Sequence, residues 1–194
     1  YIPYSKKSMD LFLNRKPDHY CSLNTSLSMA ANAYKKCLQI DNEYKKKYFI
    51  GISVTASLAT TYTKIGDHKF YISVQTESFT KSVECKLIKG SRTREEEEQL
   101  ITEYVLCLLA ECCGIDKPLP SHDEIPIIHI VKAEKSWKKL LNNDVNYVSS
   151  DRSVPELIFP GSFNPHHDGH LRMRELAEKK TGMRATFEIC ARNA

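Results

Sequence analysis

Three β-type segments follow one another in this chain with helical patterns on either side and no helix between them, and this succession limits the fold more than any other feature. Tyr48-Phe49-Ile50-Gly51-Ile52-Ser53-Val54, Phe70-Tyr71-Ile72-Ser73-Val74 and the Val83, Cys85, Leu87 segment are rich in β-branched and aromatic residues or alternate with a period of two. Ahead of them, residues 5–15 and 22–38 predict helices. Ser22 is placed to cap the second, where Leu23, Leu27, Ala30, Ala31 and Tyr34 recur at three- and four-residue spacing, and the small residues from Ala30 to Ala33 permit close packing. Behind them, residues 93–113 predict a strong helix. Thr93 is its cap, the glutamates Glu95 to Glu98 sit near the positive end of the helix dipole as a solvated surface run, and Gly114 stops it. Its apolar face is Ile101, Tyr104, Val105, Leu108 and Cys112. The polar segment from Thr60 to Asp67, with Gly66, reads as an exposed connection. Helix, helix, strand, strand, strand, helix predicts a layered α/β or α+β domain over residues 1–114.

The composition then changes. Residues 115–153 carry Pro118, Pro120 and Pro126, a short strand Ile127 to Val131, a helix near 133–142 containing Trp137, and a polar stretch from Asn142 to Ser153. This reads as an interdomain bridge. From 154 the pattern restarts: a strand Leu157-Ile158-Phe159, a glycine loop, a helix over about residues 169–180 and a strand over residues 184–192. That is one β-loop-α-β unit of a parallel sheet, and further strands covering its faces are expected beyond residue 194. The expected domains are therefore 1–114, 115–153 and 154–194.

Charge and cysteine usage exclude several classes. The 194 residues carry 28 Lys+Arg against 24 Asp+Glu, a net +4 spread along the chain. Lys45-Lys46-Lys47 and Lys138-Lys139 are short runs without interleaved stacking aromatics, so no nucleic-acid partner is expected. The longest apolar run, around Val105 to Ala110, falls well short of the roughly 20 residues of a membrane span. Seven cysteines, at 21, 37, 85, 107, 112, 113 and 190, form no CxxC pair and no even framework. An intracellular, reducing compartment is expected, the cytoplasm first and an organelle as the alternative. The chain opens on Tyr1 rather than Met and shows no signal-peptide pattern.

The most specific local signal is Gly161-Ser162-Phe163-Asn164-Pro165-His166-His167-Asp168-Gly169-His170, between a strand and a helix start. A glycine there lets backbone amides approach an anion, and the helix N-terminus supplies unpaired N–H groups and partial positive charge. His167 and His170, three apart, can share one face of the first turn beside that anion. Two plainer readings compete: the histidines only cap the helix, or His166, His167, Asp168 and His170 hold zinc, for which their crowded spacing suits tetrahedral ligation poorly.

These residues resemble the HxGH signature of the nucleotidyltransferase superfamily, which includes nicotinamide and nicotinate mononucleotide adenylyltransferases and cytidylyltransferases. The matching positions are Gly161, Asn164, Pro165, His167, Gly169 and His170. The resemblance implies the first part of a Rossmann-like domain, with His167 and His170 as catalytic residues and Gly161, Ser162, Phe163, Asn164 and Gly169 holding the nucleotide. It also implies ATP or CTP with Mg²⁺ and transfer of an adenylyl or cytidylyl group to a phosphorylated small molecule. The superfamily's later Ser/Thr-and-Arg triphosphate signature is not among these residues. Activity is therefore expected of the full-length protein and not of residues 1–194 alone.

Residues 1–113 resemble the C-terminal domain of CinA, the nicotinamide mononucleotide deamidase family. The likeness lies in Pro3-Tyr4-Ser5, the Ser22 to Ala33 helix with Met29-Ala30, Ile52-Ser53-Val54-Thr55 and Gly90-Ser91-Arg92. The family's glycine-rich turn corresponds to Thr55-Ala56-Ser57-Leu58-Ala59-Thr60, without its glycines, and its proton-transferring lysine falls on Met9. Its catalytic serine would lie upstream of Tyr1. Tyr4, Thr55 and Arg92 remain as a vestigial pocket for a small phosphate compound in a domain without deamidase activity. Together the two parts resemble a plant and protist family that joins a CinA-like domain to an HxGH cytidylyltransferase-like domain. Ser8-Met9, Lys64-Ile65-Gly66-Asp67-His68-Lys69-Phe70-Tyr71 and Gly90-Ser91-Arg92-Thr93-Arg94-Glu95-Glu96-Glu97 carry that likeness. The rival expectation is a non-catalytic subunit of a larger assembly or homo-oligomer, built on a repurposed metabolic fold, which the lost glycines and Met9 favour.

Overall fold

A computed structural model describes residues 2–40, 48–62, 64–150, 154–163 and 165–190. It divides into two compact units, Tyr1–Glu134 and Lys135–Ala194. The division falls inside the segment read as a bridge, because Ile127–Lys132 is drawn into the first unit as a strand. The molecule is mixed α/β, as expected at that level, and the sheet of unit 1 is antiparallel throughout.

Unit 1 runs α1 (Lys6–Leu13), α2 (Leu23–Ile40), β1 (Gly51–Ser57), β2 (His68–Gln75), β3 (Phe79–Leu87), α3 (Arg94–Cys112) and β4 (Ile127–Lys132). The strands lie in the order β1-β2-β3-β4. Side chains alternate across a strand, so the register assigns every residue to a face. Phe70 faces Cys85 and Ala56, and Ile72 faces Val83 and Val54. This row, with Val74 and Leu87, meets Leu100, Ile101, Tyr104 and Leu108 of α3 to form the core. Phe70, Ile72, Val74 and Val83 are fully buried, each worth roughly 1.5–3 kcal/mol of transfer free energy.

The opposite face is small and polar, and α2 packs on it over β1 and β2. The Ser26 and Ser53 hydroxyls lie 3.0 Å apart, and Ser53 Oγ donates to the Ser26 carbonyl at 2.6 Å. Helix and strand come so close that a Cβ on Gly51 would stand 2.1 Å from the Ala30 carbonyl oxygen. The small-residue stretch of α2 is used as expected, and Gly51 is its counterpart on the strand.

Local signals place the helix ends well. Ser22 Oγ accepts from the Thr25 amide at 3.2 Å, Thr93 and Glu96 form a reciprocal capping box, and Gly114 at φ +75° follows the last turn of α3. Two expectations need correction. The first strand does not span 48–54 but Gly51–Ser57, because Thr55, Ala56 and Ser57 go on pairing with Tyr71, Phe70 and Lys69. Residues with a Cβ favour this extended pairing, whereas the glycine turn to which they were likened would not. Second, the glutamate run is not wholly solvated: Glu97 is fully buried.

Unit 2 contains α4 (Lys135–Leu141), β5 (Leu157–Gly161), α5 (Asp168–Thr181) and β6 (Ala185–Ile189). β5 and β6 are parallel, Leu157 opposite Ala185 and Gly161 opposite Ile189, so the expected β-loop-α-β unit is present. Gly182 at φ +71° closes α5. Residues 191 and 192 of the expected last strand lie outside the described residues, as do Lys45 to Lys47. Among the described residues no helix is long and apolar enough to cross a membrane.

Candidate functional site

The glycine loop joins the end of β5 to the start of α5. His167 is the N-cap of α5, with extended backbone. Its Nδ1 accepts from the Gly169 amide at 3.1 Å, and His170 Nδ1 accepts from the His167 amide at 3.4 Å. The helix is thus capped by two imidazoles in the way a Ser/Glu box usually does it. The rings stack with centroids 3.8 Å apart. Burial, with the neighbouring His167 and His166 adding to it, pushes the His170 imidazole down from its ordinary value. A neutral ring is what an accepting Nδ1 needs, and it leaves the proton of each ring on Nε2. The loop therefore presents two Nε2–H donors side by side at the positive end of α5.

Gly169 is tied to this geometry, since a Cβ there would lie 2.9 Å from His167 Cε1. Gly161 is covered instead of open. Phe163 takes a left-handed conformation, φ +49°, and its ring folds back so that a Cβ on Gly161 would meet it at 2.7 Å. The ring also packs on Phe187 at 4.7 Å and His170 at 5.0 Å. Ser162 is exposed. Asn164 lies outside the described residues.

Of the neighbours that hold this loop, sequence reasoning named His166 only as a candidate zinc ligand and passed over Arg174 and Phe187. His166 packs edge-on to Phe187 at 5.3 Å, and the Arg174 guanidinium lies 5.6 Å from the same ring with Nε buried and unpartnered. Arg174 follows His170 by four residues and so shares its helix face, a spacing that could have flagged it. Phe187 is distant in sequence and carried no such signal.

The three positions likened to a deamidase pocket are not gathered into one site. Tyr4 is 91% exposed. Thr55 is buried on the α2 side of β1 without an oxygen or nitrogen partner for its hydroxyl, which interacts with the Cys21 thiol. Arg92 is held by Glu124: Nη1 donates to Oε1 at 2.6 Å and Nη2 to Oε2 at 2.9 Å. Glu124 also accepts from the Ile88 amide and from His122 Nδ1, 2.9 Å away. His122 Nε2 is 2.6 Å from the Tyr104 hydroxyl. The Arg92 bond, opposed by burial and reinforced by the Ile88 amide, holds the Glu124 carboxyl down at about 2. An ionised Glu124 fixes the proton order, with His122 Nδ1–H donating to it and Nε2 accepting from Tyr104. Burial pushes the Tyr104 phenol up to about 12 and the nearby Cys85 thiol up to about 11, so both stay protonated and inert. No spacing in the sequence announced this chain, because Arg92 and Glu124 stand 32 residues apart.

No protein-family model, curated protein or solved structure matches the chain.

Proposed function

We propose that the β5–α5–β6 unit is the phosphate-holding part of a nucleotidyltransferase-like domain. In this reading the full-length protein binds ATP or CTP for adenylyl or cytidylyl transfer to a phosphorylated small molecule. The observation that carries the reading is the pair of stacked imidazoles whose Nδ1 atoms are satisfied by backbone amides, leaving two Nε2–H donors at the α5 N-terminus. Such a pair binds phosphate oxygens and strengthens its hold as charge builds on them during transfer. Phe163 and Phe187 fix the rings in place, and positioning is most of what this chemistry asks of a protein. Among the described residues no group of three His, Cys, Asp or Glu could hold a metal. Mg²⁺ therefore enters this reading as the counter-ion of the triphosphate, as it often does at phosphate sites. The front unit is, in the same reading, a CinA-like domain without deamidase chemistry. Met9 on α1 offers no proton, and Glu124 already occupies Arg92.

One observation favours the second reading, a non-catalytic subunit of an assembly. Among the described residues of unit 2 Ala185 is the one buried apolar residue, while Ile158, Met173, Leu176 and Ile189 stand exposed. Calorimetric titration of the full-length protein with ATP and CTP in the presence of Mg²⁺ separates the two. Binding that is lost in His167→Asn/His170→Gln, where asparagine still caps the helix, supports the transferase reading. A folded wild type that binds neither nucleotide supports the assembly.

A further inference from the structure

At the end of the unit 1 sheet where β1 leads into β2 and β3 into α3, on the α3 side, there is a cleft of about 540 Å³. Tyr62, Lys64, His68, Lys89, Arg92 and Arg94 are on its wall, and neither Tyr4 nor Thr55 is. His68 begins β2 on the core face, in the same row as Phe70. It is 7% exposed, and its Nδ1 lies 2.7 Å from Oε1 of the fully buried Glu97. The other carboxylate oxygen accepts from the Ala59 amide at 2.6 Å. With Glu97 as a carboxylate, Nδ1 carries the proton and Nε2 is the nitrogen left for a ligand. A carboxylate that orients an imidazole and offsets its positive charge is the arrangement used to exchange protons.

The cations around this dyad differ in what they are paired with. Lys64 Nζ donates to Ser57 Oγ, and Lys89 Nζ donates to the Lys64 and Ile65 carbonyls at 3.1 and 2.8 Å. Their direct partners are thus neutral oxygens. Arg92 and Arg94 are held by Glu124 and Glu98. Glu95 is the carboxylate on the wall, and Asp67 bonds Lys86 at 3.1 Å while feeling Lys89 at longer range. The α3 N-terminus is closed by its own capping box, so the site depends on side chains.

We propose that this cleft is a second ligand site, for a small phosphate monoester, with Lys64 and Lys89 as its cationic contacts and His68 as its proton-exchanging group. A phosphate monoester loses its second proton near pH 6. It can therefore give that proton to Nε2 of the neutral ring or, as the dianion, accept Nε2–H of the charged one. Glu97 stabilises the imidazolium from behind in both cases, while Lys64, Lys89, Arg92 and Arg94 oppose it and Glu95 favours it.

The test follows the histidine ring signals of the full chain by NMR during titration with inorganic phosphate, against sodium chloride at matched ionic strength. The signal lost in His68→Gln identifies His68. Expected are saturable shifts of the His68 signals, an upward move of its titration midpoint with phosphate, and binding about tenfold weaker, some 1.4 kcal/mol, in Lys64→Ala/Lys89→Ala. Both lysines lie outside the core, so that variant keeps its fold, checked by circular dichroism. Unmoved His68 signals, or equal binding by the lysine variant, would overturn the site. So would shifts confined to His167 and His170, which would send the phosphate to the α5 loop. A failed nucleotide titration leaves this result untouched.

Discussion

Unit 1 covers both faces of β1 and β2 from its own chain, with α3 over the apolar face and α2 over the small polar one, and leaves the edge strand β4 exposed. Among its described residues unit 2 has α4 and, as the crossover of a two-stranded parallel sheet, α5, and it buries almost no apolar side chain. The difference follows from the kind of pairing. An antiparallel meander closes with short turns and lets flanking helices add both layers, whereas a parallel pair uses a whole helix for a single crossover and still needs neighbours. The two candidate sites reflect this. The cleft of unit 1 is framed by buried partners such as Glu97, while the imidazole pair of unit 2 is held by its own helix end and one aromatic cluster.

The largest expected effect tests whether the stabilities of the units are as unequal as their cores. Phe70→Ala should cost unit 1 about 3–5 kcal/mol and speed exchange of the β2 and β3 amides, while β5 and β6 amides, already exchanging by local opening, stay as they are. Equal acceleration in both units would show that they unfold as one body.

Next comes the Arg92–Glu124 pair. The folded-state carboxyl of Glu124 lies near 2 against an ordinary 4.5, so its stabilisation is complete above about pH 5 and disappears as pH falls toward 2. Its size is about 3 kcal/mol. Glu124→Gln should lower the urea midpoint of unit 1 at pH 7, with the gap to wild type shrinking to under half near pH 3 and closing only toward pH 2. A gap that does not change with pH would assign the loss to packing.

Two glycines sharpen the comparison further. Gly51→Ala should destabilise unit 1 by about 1–3 kcal/mol, because the Cβ meets backbone at 2.1 Å. Gly169→Ala should cost about 1 kcal/mol, because the atom in its way, His167 Cε1 at 2.9 Å, belongs to a side chain that can swing aside. The readouts are thermal melts, and for Gly169→Ala also the loss of ring stacking in the His167 signals. A larger effect at Gly169 than at Gly51 would reverse the ranking of the two regions.

Much of this molecule was readable before any coordinates because it depends on interactions three or four residues long. The Ser22 and Thr93 caps, the stop at Gly114, the apolar stripe of α3 and the strand-loop-helix at 157–180 are of that kind. The reading of His167 and His170 as helix caps was legible for the same reason, and the structure adds that their rings stack. What was misread had distant partners. Glu97 looked like part of a solvated run, though its spacing to Ile101, Tyr104 and Leu108 put it on the buried face. His68 and the Ala59 amide, 29 and 38 residues away, are the partners that its buried carboxyl meets there. Strand β4 looked like part of a bridge until its register with β3 joined it to the sheet.

The chain's own order of residues thus set the helices, their ends, the strand periods and the glycine loop, because backbone capping and side-chain periodicity act locally. Tertiary contact set the rest. It determined which carboxylate Arg92 meets, which helix lies on Gly51, that Phe163 closes over Gly161, and that a buried dyad opens onto a basic cleft. These depend on pairs brought together by burial, and hydrophobic association is indifferent to separation along the chain.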